Sequence, residues 1–441
     1  VCEAAARRVC ARAGRHRPAA RRLLSADVFG TKPLWWASWW ERNTGEWRFM
    51  AASYESALER LGVPAHARRM AEPNQALVLG IGHARPTGAG AGGGRAGRGF
   101  PVRGVIELKT WDLRQHKNST HDWAAAFRRA VELRTRRLKH KIFIGLSSGY
   151  DSGAIMLSLL QRRTPFLAFA IRGREDLGVV RERARRCSGL ATVSLVRLDR
   201  PSFEAQHEWL RRRCERYAYR FQARRGELVT DDEASTGMSF ILAKVRERRG
   251  LIYLSGSGAD DIISDYAMDG KAIYPHSCFR GVFPQNLSEN GFFPWCSFYK
   301  GSQRAFLMKE ELTSGTHGIE GRYPFLDPDV VQEFLWLSAE VKNSEYKRPV
   351  ADFLRAGAFP NAWNAKHGFK ARENLGVAVP TEVLSDPLLE HIDEGLRMQE
   401  KRATGVSDHG GVGGGAAQFK RKRLYRSGLL KAVPVARSVG G

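Results

Sequence analysis

Two short runs of small residues hold the chemistry open to this chain. In residues 142–155, IFIGLSSGYDSGAI, an apolar run breaks at Ser147-Ser148-Gly149-Tyr150-Asp151-Ser152 and resumes as an apolar, helix-like pattern. Small side chains after a buried strand let backbone N–H groups at a helix N-terminus approach phosphate oxygens, so the run reads as a pyrophosphate-binding loop. It lacks the Gly-Lys-Ser/Thr ending of a Walker A loop, which points away from γ-phosphate transfer and towards cleavage between the α and β phosphates. The competing reading is an ordinary strand-to-helix turn. The second run, Ser255-Gly256-Ser257-Gly258-Ala259-Asp260-Asp261, follows Leu251-Ile252-Tyr253-Leu254 and closes on a carboxylate pair. Two such turns, each with an acid, suit a magnesium triphosphate in which Asp151 and Asp260 hold the cation. For Asp260 the alternative is the N-cap of a following helix.

The elements that must position these loops alternate. Trp123, Phe127, Val131 and Leu138 recur at helical spacing before the strand at Ile142, and further strands are expected at 166–171, 192–198 and 251–254, with a helix over 240–245. Strands alternating with helices predict an α/β fold with a doubly wound parallel sheet and ligands beyond the strand carboxyl ends. Residues up to about 111 read instead as a β-rich fragment. Leu34-Trp35-Trp36-Ala37 and Trp47-Arg48-Phe49-Met50 flank the turn Asn43-Thr44-Gly45, a helix capped by Ser53 runs to Leu61 and stops at Gly62, and strand character returns at 102–108. Glycine-rich stretches at 88–99 and 404–415 read as flexible, and the basic finish at 420–426 as a solvated terminus. The expected divisions are 1–115, 116–380 and 381–441.

The net charge of +25, from 71 basic and 46 acidic residues, raises a nucleic-acid hypothesis. The basic runs at 134–141, 211–213 and 420–423 lie in different segments, however, which favours a solvated basic surface. Cys2, Cys10, Cys187, Cys214, Cys278 and Cys296 form no CxxC pair and no His/Cys cluster, so neither a structural zinc nor a disulfide framework is expected. A reducing, cytoplasmic compartment fits. Arg7, Arg8, Arg12, Arg15 and Arg17 leave an organelle open, although a start at Val1 reads first as a truncated product. No apolar run approaches the roughly 20 residues that span a bilayer, and no hydrophobic signal core is present.

These segments together resemble the asparagine synthetase family. SSGYDS is similar to its SGGxDS loop, and LSGSGADD to its LSGEGADE loop. The run from His317 to Asp327, HGIEGRYPFLD, resembles HGxExRxPFLD, while Lys347 with Phe353-Leu354-Arg355 and Lys366-His367-Gly368-Phe369 resemble the lysine-bearing segments. DVFGTKPL, from Asp27, and ASYESAL, from Ala52, resemble DxFGxKPL and ASExKAL of the attached class II glutamine amidotransferase domain. These segments, in family order, cover most of residues 27–370. The resemblance implies a pyrophosphatase-loop (adenine nucleotide α-hydrolase-like) sheet behind a partial α+β, Ntn-like amidotransferase fragment. It also implies a reaction: a carboxylate, usually aspartate's side chain, attacks the α-phosphorus of ATP, pyrophosphate leaves, and ammonia displaces AMP from the acyl-adenylate. By motif position Leu146, Ile171, Ser255 and Gly256 would contact the nucleotide, and Ser147, Gly149 and Ser152 would cradle pyrophosphate. Asp151 and Asp260 would bind Mg2+, Lys366 would stabilise the departing pyrophosphate, and Glu320, Arg322 and Asp327 would shape the amino-acid side, unless these three form a structural ion pair.

The departures from the family are specific. Ser148 replaces the first loop glycine and adds a Cβ where backbone approach is tight. Ser257 replaces the glutamate implicated in acyl transfer, which leaves open another acceptor, another acid or lost activity, and Asp261 stands where glutamate is usual. The stretch before His317 lacks the family's Asp-Arg lead-in. Only 26 residues precede Asp27, where the family has an N-terminal cysteine nucleophile and roughly a hundred residues, and Cys2 is near the start by position only. The expected partners are therefore ATP, a carboxylate such as aspartate, and ammonia, free or glutamine-derived, with a homodimer or a partner glutaminase as macromolecular options. Nucleic acid and membrane are not expected. Three other readings stay open: a ligase for another carboxylate, a degenerate nucleotide-binding homologue without turnover, and an RNA-modifying enzyme.

Overall fold

The computed structural model describes residues 21–41, 43–44, 46–80, 102–173, 175–187, 189–219, 227–363 and 381–387. Lys366, Cys2, Cys10 and the glycine-rich stretches at 88–99 and 404–415 lie outside them. The chain is mixed α/β. Its largest sheet has six strands: β1 (Lys141–Gly145), β2 (Phe166–Ile171), β3 (Ala191–Val196), β4 (Gly250–Leu254), β5 (Glu320–Arg322) and β6 (Glu382–Ser385), in the order β5-β4-β1-β2-β3-β6. All neighbours are parallel except β6, which runs antiparallel to β3.

The strand sequences explain the burial. All six residues of β2, FLAFAI, are buried, as expected for a parallel strand covered on both faces. Side chains alternate across the sheet: Ile142 and Ile144 join the large cluster containing Ile155 and Leu159 of α1 (Tyr150–Gln161), while Phe143 packs with Phe169, Ile241 and Val245 on the opposite face. Each such side chain taken from water contributes about 1.5–3 kcal/mol. Ile241 and Val245 belong to α3 (Glu233–Glu247), which extends the helix read at 240–245 and begins at Asp232, whose carboxylate accepts the N–H groups of Ala234 and Ser235. Between them in sequence, α2 (Leu177–Arg186) is capped in the same way by Asp176.

This strand order decides where a ligand can sit. The chain steps from β1 to β2 to β3 in one direction, then returns to place β4 on the other side of β1. The crevice outside the carboxyl ends of β1 and β4 is the point at which the direction reverses, and both small-residue loops open into it.

The described residues before 110 include two small antiparallel sheets. The expected hairpin pairs Trp35–Glu41 with Glu46–Ala52, and Arg68–Met70 adds on the other side of Trp35–Glu41. Arg21–Ser25, Gln75–Gly80 and Val102–Glu107 make the second sheet. The helix expected from Ser53 is Glu55–Arg60, and Ser53 does not cap it. Instead the Glu215 carboxylate, far along the chain, accepts the N–H groups of Glu55 and Ser56 at 3.0 Å each, a tertiary cap that local sequence cannot show.

The cysteine expectation is corrected. Cys278 and Cys296 are joined in a disulfide, with Cα atoms 6.2 Å apart. The intervening segment folds back on itself because Phe279, Phe283, Phe292 and Trp295 pack edge-to-face, which brings together two cysteines that spacing alone does not pair. Cys187 and Cys214 are buried thiols outside this disulfide, and Cys187 Sγ donates to the Arg183 carbonyl at 3.1 Å. Among the described residues, no helix is long and apolar enough to cross a membrane.

Candidate active site

A cavity of about 480 Å³ lies over the ends of β1 and β4. Leu146, Ser147, Asp151, Ser152, Ile171, Gly256, Ser257 and Asp260 line it, so residues of both predicted loops meet in one place. Phe143, Phe169, Met238 and Ile241 give it one apolar end; Tyr266, Tyr274, His276 and Phe306 form a wall elsewhere in its lining. His276 packs edge-on to Tyr266 at 4.3 Å between ring centroids, and the ammonium of Lys309 lies 4.5 Å over the ring of Phe306.

The first loop is tightly organised. Ser152 Oγ accepts the Ser147 N–H at 3.1 Å, and Ser147 Oγ accepts the Gly149 N–H at 3.2 Å. Ser148 is buried and does not line the cavity, although Glu175, to which it bonds, does. Its N–H and Oγ both donate to the Glu175 carboxylate, at 2.5 and 2.6 Å, and its Oγ accepts from the Asp176 N–H at 3.2 Å. The added Cβ is therefore accommodated next to α2, while a carboxylate, itself an anion, holds the N–H that a phosphate oxygen would take.

Arg183 of α2, which sequence reasoning missed, clamps this loop from beneath. It is fully buried. Nη1 donates to the Ser147 carbonyl at 2.6 Å, Nη2 to the Gly149 carbonyl at 3.0 Å and to Asn361 Oδ1 at 3.1 Å, and Nε to the Pro360 carbonyl at 2.9 Å. Burial lowers its pKa to about 9, against the opposing pull of Glu175 and Asp151. Room for the guanidinium exists because residue 153 is glycine: a Cβ there would stand 2.4 Å from Nη2. Nothing in the arginine-rich run at 181–186 distinguishes this one.

The two acids converge on a buried cation. Lys347 Nζ donates to both oxygens of Asp151 at 2.6 and 2.8 Å and lies 2.8 Å from Asp260 Oδ1. Burial alone would lower the lysine's pKa; the two carboxylates more than offset it, and the ammonium is held above its usual range. Tyr346 also donates to Asp260 Oδ1, at 3.2 Å. Lys347 takes the left-handed conformation (φ 50°) just before α5 (Arg348–Ala356), a conformation costly for a side-chain-bearing residue. Asp260 is the first residue of a single π-helical turn, Asp260–Ser264, whose N-cap is Ala259. Its neighbour Asp261 is buried away from the cavity, pushed up to about 8 by burial against a hydrogen bond from Ser302. Gly256 permits the loops to meet, since a Cβ there would stand 2.8 Å from Asp151 Cβ.

The second loop rests on another residue that sequence reasoning missed. Glu310, on α4 (Gly301–Thr316), lines the cavity and accepts the hydroxyls of both Ser255 and Ser257, the latter at 2.8 Å. The Ser257 N–H in turn donates to Ser255 Oγ at 3.0 Å. Burial pushes Glu310 up to about 6, although both hydroxyls pull it down. The signal in the sequence was the absence of an acid at 257, which invites a search for one elsewhere; only the fold shows where it stands.

Other predicted residues lie apart. Ser255 and Gly149 sit in the loops without lining the cavity. Glu320, Arg322 and Asp327 do not line it either: Arg322 pairs with Glu320 at 2.9 Å and donates to the Arg134 carbonyl, while Arg134 pairs with Asp327 at 2.7 Å. Next to them, Glu311 is held by Tyr323 at 2.6 Å and by Lys32 at 2.7 Å, which ties the DVFGTK turn to the main sheet. Among the described residues no group of three or more His, Cys, Asp or Glu side chains could hold a metal. Two carboxylates still suit Mg2+ on a nucleotide, because that ion takes one or two protein carboxylates and fills its remaining positions with water and phosphate oxygens. The sequence matches no family model and no curated protein.

Proposed function

We propose that this chain is an ATP-dependent, acyl-adenylate-forming amide ligase of the asparagine synthetase type, with a pyrophosphatase-loop sheet behind a class II amidotransferase-like segment. One observation carries the reading: Asp151 and Asp260, from loops at adjacent parallel strand ends, share one buried cation at the cavity between them. An ATP seated there has its adenine side towards Phe143, Phe169, Met238 and Ile241 and its phosphates towards Ser147 and Ser152. Bound Mg2+ supplies charge neutralisation on the triphosphate. Lys347 adds a second positive charge as pyrophosphate leaves the α-phosphorus, and Arg183 holds the loop in shape from below, so catalysis rests on positioning and on fixed charge. A carboxylate oxygen attacks the α-phosphorus, the bond to the bridging oxygen breaks, and ammonia then replaces AMP on the acyl carbon.

The carboxylate is aspartate's in the first reading. The aromatic wall of Tyr266, Tyr274, His276 and Phe306 favours a second reading, a carboxylate with a ring or other apolar body. ATP–pyrophosphate exchange with a panel of carboxylates tests both. Asp151→Asn and Asp260→Asn should each abolish magnesium-dependent exchange with the fold retained, and exchange at the wild-type rate in both variants would refute the assignment.

A further inference from the structure

We propose that Glu310 is the group that takes the proton from the attacking nitrogen in the second half-reaction, with Ser257 and Ser255 aiming its carboxylate. The inference rests on the ligase reading and deepens it. A seryl hydroxyl at 257 cannot accept a proton near neutral pH, so amide formation needs a base from elsewhere. The Glu310 carboxylate reaches that loop from α4, lines the same cavity as Asp151 and Asp260, and accepts both seryl hydroxyls. Its hydrogen-bond partners are neutral. Lys309, its neighbour in sequence, is directed to Asp232 at 3.3 Å, and Glu311 is engaged by Lys32 and Tyr323.

A purely structural role is a poor account of the charge. Two serine hydroxyls need only a neutral acceptor, which glutamine would provide, whereas bringing a carboxylate out of water costs several kcal/mol that two hydroxyl bonds only partly return. In the step itself the nitrogen lone pair forms the C–N bond at the acyl carbon, and the bond from that carbon to the AMP oxygen breaks with its electron pair leaving on AMP. The surplus proton on nitrogen passes to Glu310 and then to solvent. The charged and titratable groups around Glu310 are Lys309 and Glu311 on its own helix, Tyr253 on β4, Tyr323 after β5, and Asp232 across the cavity.

The test compares wild type with Glu310→Gln, which keeps an acceptor for both hydroxyls. Three readouts use L-aspartate, L-glutamate, L-tyrosine and phenylacetate as carboxylates: ATP–pyrophosphate exchange, hydroxamate formation with hydroxylamine, and amide formation with ammonium. Hydroxylamine is largely unprotonated at pH 7 and needs little help from a base; ammonium does need it. We expect Glu310→Gln to lose less than tenfold in exchange and hydroxamate formation but at least 100-fold in amide formation, the ordinary scale of a lost general base. At a constant concentration of free ammonia, wild-type amide formation should fall as pH drops through about 6, and that limb should vanish in the variant. Glu310→Asp, with shorter reach and the same charge, should recover part of the amide rate. Amide formation within threefold of wild type in Glu310→Gln overturns the inference and leaves the ligase reading standing. Equal loss of all three activities also overturns it, because the residue would then only support the loop. No exchange by wild type with any of the four acids would overturn the ligase reading and this inference with it.

Discussion

Removing the ammonium at the centre of the site, by Lys347→Met, tests whether Asp151 and Asp260 form one cation site. The lysine is 2% exposed, and its nitrogen touches both carboxylates at hydrogen-bond distance. Without it two carboxylates face each other in a poorly solvated crevice, their side chains 19% and 13% exposed. Breaking a buried ion pair from one side costs about 3–5 kcal/mol. An independent route gives a similar size: two like charges about 5 Å apart at an effective dielectric constant of about 20 repel by roughly 3 kcal/mol. The freed carboxylates should also bind a divalent cation in compensation, and a ligand at a hundred times its dissociation constant stabilises by about 2.7 kcal/mol. Urea denaturation with EDTA and with saturating Mg2+ therefore has a specific pattern. The variant should lose about 3–5 kcal/mol in EDTA and regain about 2–3 kcal/mol with Mg2+, while wild type, whose ammonium already fills the site, shifts by under about 0.5 kcal/mol. A variant within about 1 kcal/mol of wild type in EDTA, or an equal Mg2+ effect on both proteins, would refute the shared-site argument.

Three further outcomes are expected. Gly153→Ala places a Cβ 2.4 Å from Arg183 Nη2, so it should displace the guanidinium and cost about 1–3 kcal/mol in urea denaturation; a neutral result would mean that the loop does not depend on the clamp. Glu175→Gln removes the charge held at the Ser148 N–H and should tighten ATP binding about three- to tenfold by calorimetry, whereas weaker binding would show that the carboxylate supports the loop rather than competing with phosphate. His317 is half-buried against Trp209 and 2.8 Å from Ser239 Oγ, and burial lowers its pKa to about 4, with Arg246 acting in the same direction. The unfolded chain therefore takes up a proton near pH 6.5 that the folded chain refuses, and stability should fall as pH drops towards 4. After discounting for partial exposure, about 1 kcal/mol should be lost between pH 7 and 5, and His317→Gln should flatten that slope.

Much of this protein is legible without its structure because the signals are local. A short, bulky apolar run such as FLAFAI reads as a covered strand, and β2 spans the residues expected of it. The composition of the loops after β1 and β4, small residues followed by an acid, marks them as phosphate-compatible from a few adjacent positions, and the Trp35–Ala52 hairpin follows from a turn between two aromatic strands. Alternating strands and helices then imply that ligands sit at strand carboxyl ends, which places both loops in one crevice before any side chain is seen.

Tertiary structure alone decided which charges meet in that crevice. Lys347 is 196 positions from Asp151, Arg183 is 36 from Ser147, and Glu310 is 55 from Ser255. No periodicity or propensity links residues so far apart, because their encounter depends on the order in which strands are laid into the sheet and on the angle at which α2, α4 and α5 approach it. The same holds for what the sequence misdirects. Ser53 is displaced as a cap by Glu215, the Cys278–Cys296 pair is made by an aromatic cluster, and Glu320, Arg322 and Asp327 spend their charges in ion pairs beside the sheet. Local sequence states which groups can do chemistry; which of them are desolvated together, and so acquire the shifted proton affinities that chemistry uses, is a property of the packed chain.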